Sequence, residues 1–293
     1  MLWASMKNLV ITTIIWAFSF SLIGVYLSGS VDPYFSVLIR ILLASLAFLP
    51  FLLRSRIPAN YAFRLMTIGA IQLGLMYLFY YQGFEHLSVP EVLIFTIFTP
   101  IYVTLLHDLQ HRRFSPFYLL TASLAVLGTA VIRWGAINSE FMIGFLMVQV
   151  CNLCFAYGQV AYKRLFEQGY SLSHASFGYF YLGALVVAAI AWLLLGSHEI
   201  PTQPVQWAVL LWLGIVASGL GYFLWNQGAR QVNAGALAIM NNALVPAGLL
   251  VNLLIWNREV NLLRLSVGAL IILVSLGINQ RWSRKADTRP SAT

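Results

Sequence analysis

Long apolar runs separated by short polar breaks dominate the chain. Charged residues, prolines and Gly/Asn clusters divide it into runs of about 20 residues, which is long enough for a helix to cross the hydrocarbon core of a bilayer. Helices are the expected elements because a spanning helix satisfies its own backbone hydrogen bonds in lipid. The pattern predicts ten spans, at residues 8–28, 34–53, 63–84, 89–107, 116–133, 141–163, 174–196, 205–227, 234–256 and 263–282.

The composition narrows the class further. Of the 293 residues, 60% are hydrophobic and only 9% are charged, and the mean hydropathy is +0.81. Soluble domains carry about 25% charged residues, so this chain cannot cover a water-facing surface of its size. We therefore expect an all-α polytopic membrane protein whose first span is retained as a helix. A soluble enzyme, a DNA-binding domain and a disulfide-stapled secreted module are excluded.

The positions of the basic residues predict the orientation. With the N-terminus inside, the cytoplasmic segments hold thirteen of the 17 Lys and Arg residues and the opposite side holds three, while Arg40 lies within a span. This bias places both the N- and C-termini in the cytoplasm. The net charge of +8 is therefore explained by orientation in the lipid bilayer, and we expect no nucleic-acid partner.

The second half of the sequence repeats the first at a displacement of 145 residues. The segment at 77–83 aligns with 222–228, and Pro100 meets Pro246 after a slip of one residue. We interpret the chain as two five-helix repeats and a polar cytoplasmic tail, at residues 1–136, 137–282 and 283–293. Because five is odd, the second repeat is inverted relative to the first. Inverted repeats around a midplane site are typical of secondary transporters.

These features resemble the EamA-type repeat of the drug/metabolite transporter superfamily. They are Trp16 in the first span, Arg40 in the second, Gln82-Gly83 at the end of the third, Pro100 in the fourth and, in the second half, Pro246 followed by 257–259. The first half departs from the family's pattern, with Arg113 where an acid would fall. The resemblance covers about residues 8–282. It implies a carrier of the bacterial inner membrane that works by alternating access, with spans one to four and six to nine lining a central cavity.

Longer runs resemble the biotin-importing members of this superfamily. The matching stretches are 12–21, 162–164, 216–219, 239–242 and 245–252. The resemblance implies that the substrate is biotin and that uptake needs no ATPase subunit and no cofactor. Transport direction has no signature in the sequence, so export of amino acids or related metabolites stays open. A membrane-embedded transferase also stays open, although it would need a convergent acid/base or metal cluster.

Arg40 is the sharpest polar signal in the chain. It lies about 10 Å into the second span at 1.5 Å per residue, where a cation is costly and usually faces a cavity or a partner. Its guanidinium fork could hold a carboxylate; the alternative is a structural Arg paired with Glu91 or with helix-end carbonyls. Ser88 and Glu91 fit a capping box, although the Glu91 carboxylate could also carry a coupling proton or neutralise Arg40.

Mid-span amides and a set of aromatic residues complete the candidate site. Asn152, Asn241 and Asn242 either hold helices together or offer the donor and acceptor that a cyclic urea such as the biotin headgroup demands. The adjacent pair at 241 and 242 is the better candidate. The aromatic candidates for an apolar wall are Trp16, Tyr77, Tyr81, Phe95, Phe155, Tyr222 and Trp225. The chain holds 9 Trp, 14 Tyr and 19 Phe, so packing or interfacial anchoring is the better explanation for any single ring.

Two other motifs are typical of functional sites, but we interpret both as structural. Cys151 and Cys154 form a C-x-x-C in an apolar run without a nearby basic group, so we expect buried small side chains. His107 and His111 are spaced as in zinc sites, but they have no evident third ligand and lie at a predicted helix end. The sequence contains no P-loop, and we expect no catalytic residue and no metal.

Overall fold

A computed structural model describes residues 2–54, 56–110, 138–170, 174–197, 199–232 and 234–256, with five further helical positions between 263 and 274. Within these residues every regular element is a helix, and seven helices are long and apolar enough to cross a membrane. The protein is therefore an all-helical, multi-pass membrane protein, as the composition predicts. The predicted span at 116–133 lies outside the described residues, and so does most of the span at 263–282.

Eight of the ten predicted spans coincide with a helix of the described chain. The helices are α1 (Leu2–Tyr26), α2 (Pro33–Leu53), α3 (Ala59–His86), α4 (Val89–Phe95, a 3-10 turn at Thr96–Phe98, then Thr99–Gln110), α5 (Ser139–Glu167), α6 (His174–Leu195), α7 (Pro204–Ala229) and α8 (Ala234–Trp256). The sixth to ninth predicted spans begin within two residues of the observed starts of α5 to α8, because polar breaks mark the helix ends.

Polar side chains fix several helix starts. The Asp32 carboxylate accepts a hydrogen bond from the backbone N–H of Tyr34 at 2.8 Å, at the start of α2. The Asn138 side chain accepts from the N–H of Phe141 at 2.9 Å, at the start of α5. Such caps satisfy N–H groups that have no partner within the helix, which matters most where water is scarce.

Two helices are interrupted by a π-helical segment. These segments are Ala70–Leu75 in α3 and Leu213–Leu220 in α7. The displacement of 145 residues places 70–75 on 215–220, so the two irregularities lie at corresponding positions of the two sequence repeats. A π segment inserts extra backbone into a helix and changes the direction in which the following residues point.

The helices pack across the two halves of the chain in an exchanged manner. Helix α1 packs against α7 and α8, while α5 packs against α3 and α4, and α2 and α6 pack against each other. Helices α2 and α7 form the same kind of contact as α6 and α3. These contacts leave a central space between the first four helices and α5, α7 and α8.

Glycines permit the closest of these crossings. A Cβ atom added at Gly69 of α3 would lie 1.8 Å from the carbonyl oxygen of Phe180 in α6. Gly214 of α7 lies 145 residues after Gly69, and its added Cβ would lie 3.1 Å from the carbonyl oxygen of Arg40 in α2. The backbones therefore approach each other closely at both crossings, and at Gly69 more closely than a side chain allows, as is common between membrane helices.

Substitution of Gly183 by alanine should lower the melting temperature of the purified protein. The added Cβ would lie 1.8 Å from the carbonyl oxygen of Met66, and backbone atoms cannot turn away as a flexible side chain can. Overpacking of this kind costs about 1–3 kcal/mol. Gly219→Ala is the matched control, because its added Cβ meets nothing closer than 3.4 Å. Equal melting temperatures for the two variants in detergent would contradict the close crossing.

Candidate functional site

A cavity of about 70 Å³ lies between the helices. Its walls are drawn from α1 to α5, α7 and α8, and none of the described residues of α6 lines it. The resemblance implied that this helix also lines the cavity; instead it packs behind α2 and α3. The lining residues are Trp16, Ser19, Phe20, Arg40, Met76, Tyr77, Tyr80, Thr96, Thr99, Cys151, Asn152, Phe155, Tyr222, Trp225, Asn241 and Leu244.

The structure brings most of the predicted site residues together in this cavity. Those on its wall are Trp16, Arg40, Tyr77, Asn152, Phe155, Tyr222, Trp225 and Asn241. Those that it places off the wall are Tyr81, Glu91, Phe95 and Asn242. The lining residues that sequence reasoning missed include Ser19 and Phe20, three and four residues after Trp16. Helical spacing from an accepted candidate could have found them, since such neighbours share a face.

Arg40 forms the polar end of the cavity. It is 2% exposed, its Nε donates to the Ser218 hydroxyl, and its Nη1 lies 3.4 Å from the Tyr81 hydroxyl oxygen. The guanidinium carbon lies 4.1 Å from the centre of the Tyr77 ring, in cation–π geometry. No carboxylate among the described residues forms an ion pair with it. Two hydroxyls and a ring hold this cation. Pairing of Arg40 with Glu91, which the sequence left open as a structural alternative, is therefore wrong.

Ser218 connects four helices around the guanidinium. It lies in the π segment of α7, and its hydroxyl oxygen is 2.9 Å from that of Tyr77. Its carbonyl accepts from the Tyr181 hydroxyl at 2.6 Å, and the carbonyl of Ala217 accepts from the Trp16 indole N–H at 2.9 Å. The irregular backbone thus presents carbonyls to side chains of other helices, and the cation is held in a fixed place.

Four aromatic side chains form a box beside the cation. The box consists of Trp16, Phe155, Tyr222 and Trp225. The Trp16 ring centre lies 4.8 Å from that of Tyr222, 5.0 Å from that of Trp225 and 5.9 Å from that of Phe155. Trp16 comes from the first half of the chain, and the other three residues come from the second half. The box offers flat apolar surfaces next to a single positive charge.

Asn152 repairs a break in α4 caused by a proline. Pro100 has no N–H to give to the carbonyl of Thr96, and the N–H of Thr99 bonds to that carbonyl in a 3-10 turn. The carbonyl of Phe95 is thereby released from the usual helix pattern, and the Asn152 amide donates to it at 2.7 Å. The Thr99 hydroxyl also donates to the Asn152 carbonyl oxygen at 3.3 Å. The amide of Asn152 is therefore committed to the protein.

Asn152→Ala should lower stability more than it lowers substrate affinity. The substitution removes the donor from the Phe95 carbonyl, which lies in a buried turn, and a buried group left without a partner costs about 1–3 kcal/mol. We expect a lower melting temperature. In the protein that remains folded, the dissociation constant for a ligand of the cavity should stay close to that of the wild type. An unchanged melting temperature together with a weakened dissociation constant would contradict this role.

The two adjacent asparagines of α8 have different surroundings. Asn241 lines the cavity and faces Gln159, with two amide contacts of 3.4 Å between them, and it donates to the carbonyl of Leu237 at 3.1 Å. Asn242 does not line the cavity, and its side-chain oxygen is buried with no hydrogen-bond partner among the residues that the structure describes. Successive residues on a helix point about 100° apart, and here Asn241 faces the cavity while Asn242 points away from it.

The remaining predicted residues support the walls from behind. The Glu91 carboxylate accepts from the N–H and the hydroxyl of Ser88 at 2.9 and 2.7 Å, in the capping box that the sequence predicts. Tyr81 contacts the guanidinium from outside the lining. The ring of Phe95 packs against Phe141 with their centres 5.8 Å apart. These side chains position the site and do not form its surface.

The chemistry of the lining suits binding. Arg40 is the one charged residue that the described part of the chain places on the cavity wall. Amides, hydroxyls, a thiol and rings make up the rest of its chemistry-bearing side chains. No group of three or more His, Cys, Asp or Glu that could hold a metal occurs among the described residues. Such a cavity can hold an amphipathic anion with its charge at one end and its apolar body between rings.

Comparisons with known proteins agree on one family. The sequence model of the EamA-like transporter family matches residues 4–134 and 142–280. A biotin transporter of Salmonella typhimurium is 49% identical over 287 residues, covering 97% of this chain and 96% of the relative. The biotin transporter of Escherichia coli K12 is 48% identical over 291 residues, or 97% of each chain. A probable biotin transporter of Pseudomonas aeruginosa is 48% identical, covering 96% of this chain and 99% of its own.

The fold is also found in a solved structure. A protein crystal structure superimposes with a TM-score of 0.68 at 16% sequence identity, covering 97% of this chain and 99% of the other. At this level of identity the match shows a shared fold and says nothing about the ligand.

Proposed function

The chain belongs to the EamA-like transporter family, and from this premise we propose that it imports biotin by alternating access, without ATP. The observation that carries the proposal is the combination of one buried cation with an aromatic box in a single cavity. Relatives that share nearly half of their residues with this chain over almost its whole length are named for the same solute. Biotin is an amphipathic anion, with a carboxylate on an alkyl tail and a fused ring headgroup.

Each part of that solute has a counterpart on the cavity wall. The guanidinium of Arg40 would hold the carboxylate through charge-assisted hydrogen bonds. The aromatic box would enclose the apolar body, and the Asn241 amide would meet the polar ureido ring. A site of this kind binds through few polar groups placed in a largely apolar pocket.

We propose further that the complete molecule has ten spans arranged as two inverted repeats, at 1–136 and 137–282, in the bacterial inner membrane. The family model matches the two halves separately. The π segments at 70–75 and 213–220 and the exchanged helix packing support an internal two-fold relationship. With both termini and the tail at 283–293 in the cytoplasm, the cavity would open to each side in turn.

Uptake of radiolabelled biotin by a biotin-auxotrophic host that lacks its own importer tests the function. Expression of the chain should restore growth and accumulation at limiting biotin. Liposomes that contain only the purified protein should then show flux that depends on added biotin, which separates a carrier from an enzyme. The proposal fails if neither system takes up biotin, and faster loss of preloaded amino acids from the cells would instead favour an exporter.

Two reporter fusions test the orientation. A reporter that is active only in the cytoplasm should be active when fused after Arg289 and silent when placed in the loop at 197–201. The reason is the excess of basic residues on the predicted cytoplasmic side. Opposite activities at the two sites would reverse the orientation.

A further inference from the structure

Most polar groups on the cavity wall already have partners within the protein. The Trp16 indole N–H donates to a backbone carbonyl, the Tyr77 hydroxyl bonds to Ser218, and the Asn152 amide holds the Phe95 carbonyl. A substrate could use these groups only by breaking bonds that hold the helices together. The groups without such bonds, and those held only by long contacts, are therefore the ones available to recognise a ligand.

Among the described residues, the indole N–H of Trp225 has no hydrogen-bond partner. Trp225 lines the cavity, is 1% exposed, and its Nε1 atom is buried without an acceptor. A buried N–H without a hydrogen bond destabilises the empty protein. The ring itself is held firmly, with its centre 5.0 Å from that of Trp16 and 6.2 Å from that of Phe155. The molecule thus keeps an unsatisfied donor in a fixed place on the wall.

A second weakly bonded donor lies one helical turn away. Tyr222 and Trp225 are three residues apart on α7 and share a face. The Tyr222 hydroxyl contacts the Met76 sulfur at 3.9 Å and also interacts with the Tyr77 hydroxyl, and a thioether is a weak acceptor. An oxygen ligand would readily replace that sulfur.

We propose that Trp225 determines substrate specificity by donating its indole N–H, together with the Tyr222 hydroxyl, to the carbonyl oxygen of a urea or amide group on the substrate. A carbonyl oxygen has two lone pairs and can accept both bonds. The N–H groups of a urea are then left for acceptors such as the Asn241 side-chain oxygen. This inference rests on the proposed transport of biotin and assigns its headgroup carbonyl to the aromatic box.

Binding of biotin and of 2-iminobiotin by purified protein tests this role. In 2-iminobiotin an imino nitrogen, protonated at neutral pH, replaces the carbonyl oxygen and cannot accept a hydrogen bond. Wild-type protein should bind it at least about 3-fold more weakly than biotin. Trp225→Phe should weaken biotin binding by about 3- to 10-fold and leave 2-iminobiotin binding unchanged, so that the preference for biotin shrinks by the same factor.

Trp207→Phe is the matched control. It also removes an indole N–H from α7, but that donor bonds to the carbonyl of Pro201 and does not line the cavity, so the preference for biotin should persist. The wild-type comparison does not depend on the folding of any variant. Equal binding of the two ligands by the wild type, or an equal loss of both in Trp225→Phe, overturns the inference while leaving biotin transport in place. A wild type that binds no biotin overturns both.

Discussion

Arg40→Lys should reduce the affinity for biotin by about 10- to 150-fold while the protein still reaches the membrane. The loss corresponds to one charge-assisted hydrogen bond, about 1.5–3 kcal/mol. Lysine keeps the charge but lacks the planar fork, and it cannot both reach Ser218 and lie flat over Tyr77 as the guanidinium does. The dissociation constant for biotin, measured on purified protein, and the amount of protein in the membrane test this prediction.

Biotin amide supplies a second measurement of the same contact. It lacks the negative charge, so it should compete poorly with biotin for the wild-type protein. Arg64→Lys is the matched control, since Arg64 lies outside the cavity and contacts Gln168 at 3.4 Å in an exposed position. Normal affinity in Arg40→Lys, or equal competition by the amide, would show that Arg40 does not bind the carboxylate.

Asn241→Ala should reduce uptake at limiting biotin by about 5- to 150-fold. The substitution leaves a urea-like group without its partner in a mostly apolar cavity, and a buried polar group without a hydrogen bond costs about 1–3 kcal/mol. The amide contacts to Gln159 are long, at 3.4 Å, so Asn241 can turn to a ligand at little cost. Uptake must be compared at matched protein levels, because an amide that only joins helices would lower the amount of folded carrier.

Thr96→Val is the natural comparison for this change. The displacement of 145 residues places Thr96 opposite Asn241, and both line the cavity. The Thr96 hydroxyl already donates to the Leu93 carbonyl at 2.6 Å, so its loss should matter much less for binding. Asn242→Ala should also have the smaller effect because Asn242 lies off the wall. Wild-type affinity in Asn241→Ala, or a larger loss in Thr96→Val, would remove Asn241 from the headgroup site.

The helices could be predicted from the sequence because lipid leaves few alternatives. Runs of apolar residues bounded by caps such as Asp32 and Asn138 give the described spans within a few residues. The two π segments could not be predicted, since their sequences at 70–75 and 213–220 are as apolar as the helices around them. Only the match between the two halves hints that these positions are special.

The candidate site could be predicted only as far as single residues stand out. A cation in the middle of an apolar span is conspicuous, and so Arg40 was found. Its partner Ser218 is one small polar residue among many, 178 positions away, and only folding brings the two together. Whether Tyr77 and Tyr81 face the cavity depends on how α3 is rotated about its own axis. The π segment before them alters that rotation, and a nearly uniform apolar sequence does not reveal it.

The lack of a described carboxylate beside Arg40 has a consequence for the energetics of the transport cycle. The empty cavity holds one positive charge, and a bound carboxylate cancels it. Moving one elementary charge through a membrane potential of 100 mV changes the free energy by about 2.3 kcal/mol. The loaded carrier would therefore reorient with a neutral cavity and feel little of the voltage. The voltage would act mainly on the return step, in which the empty carrier reorients.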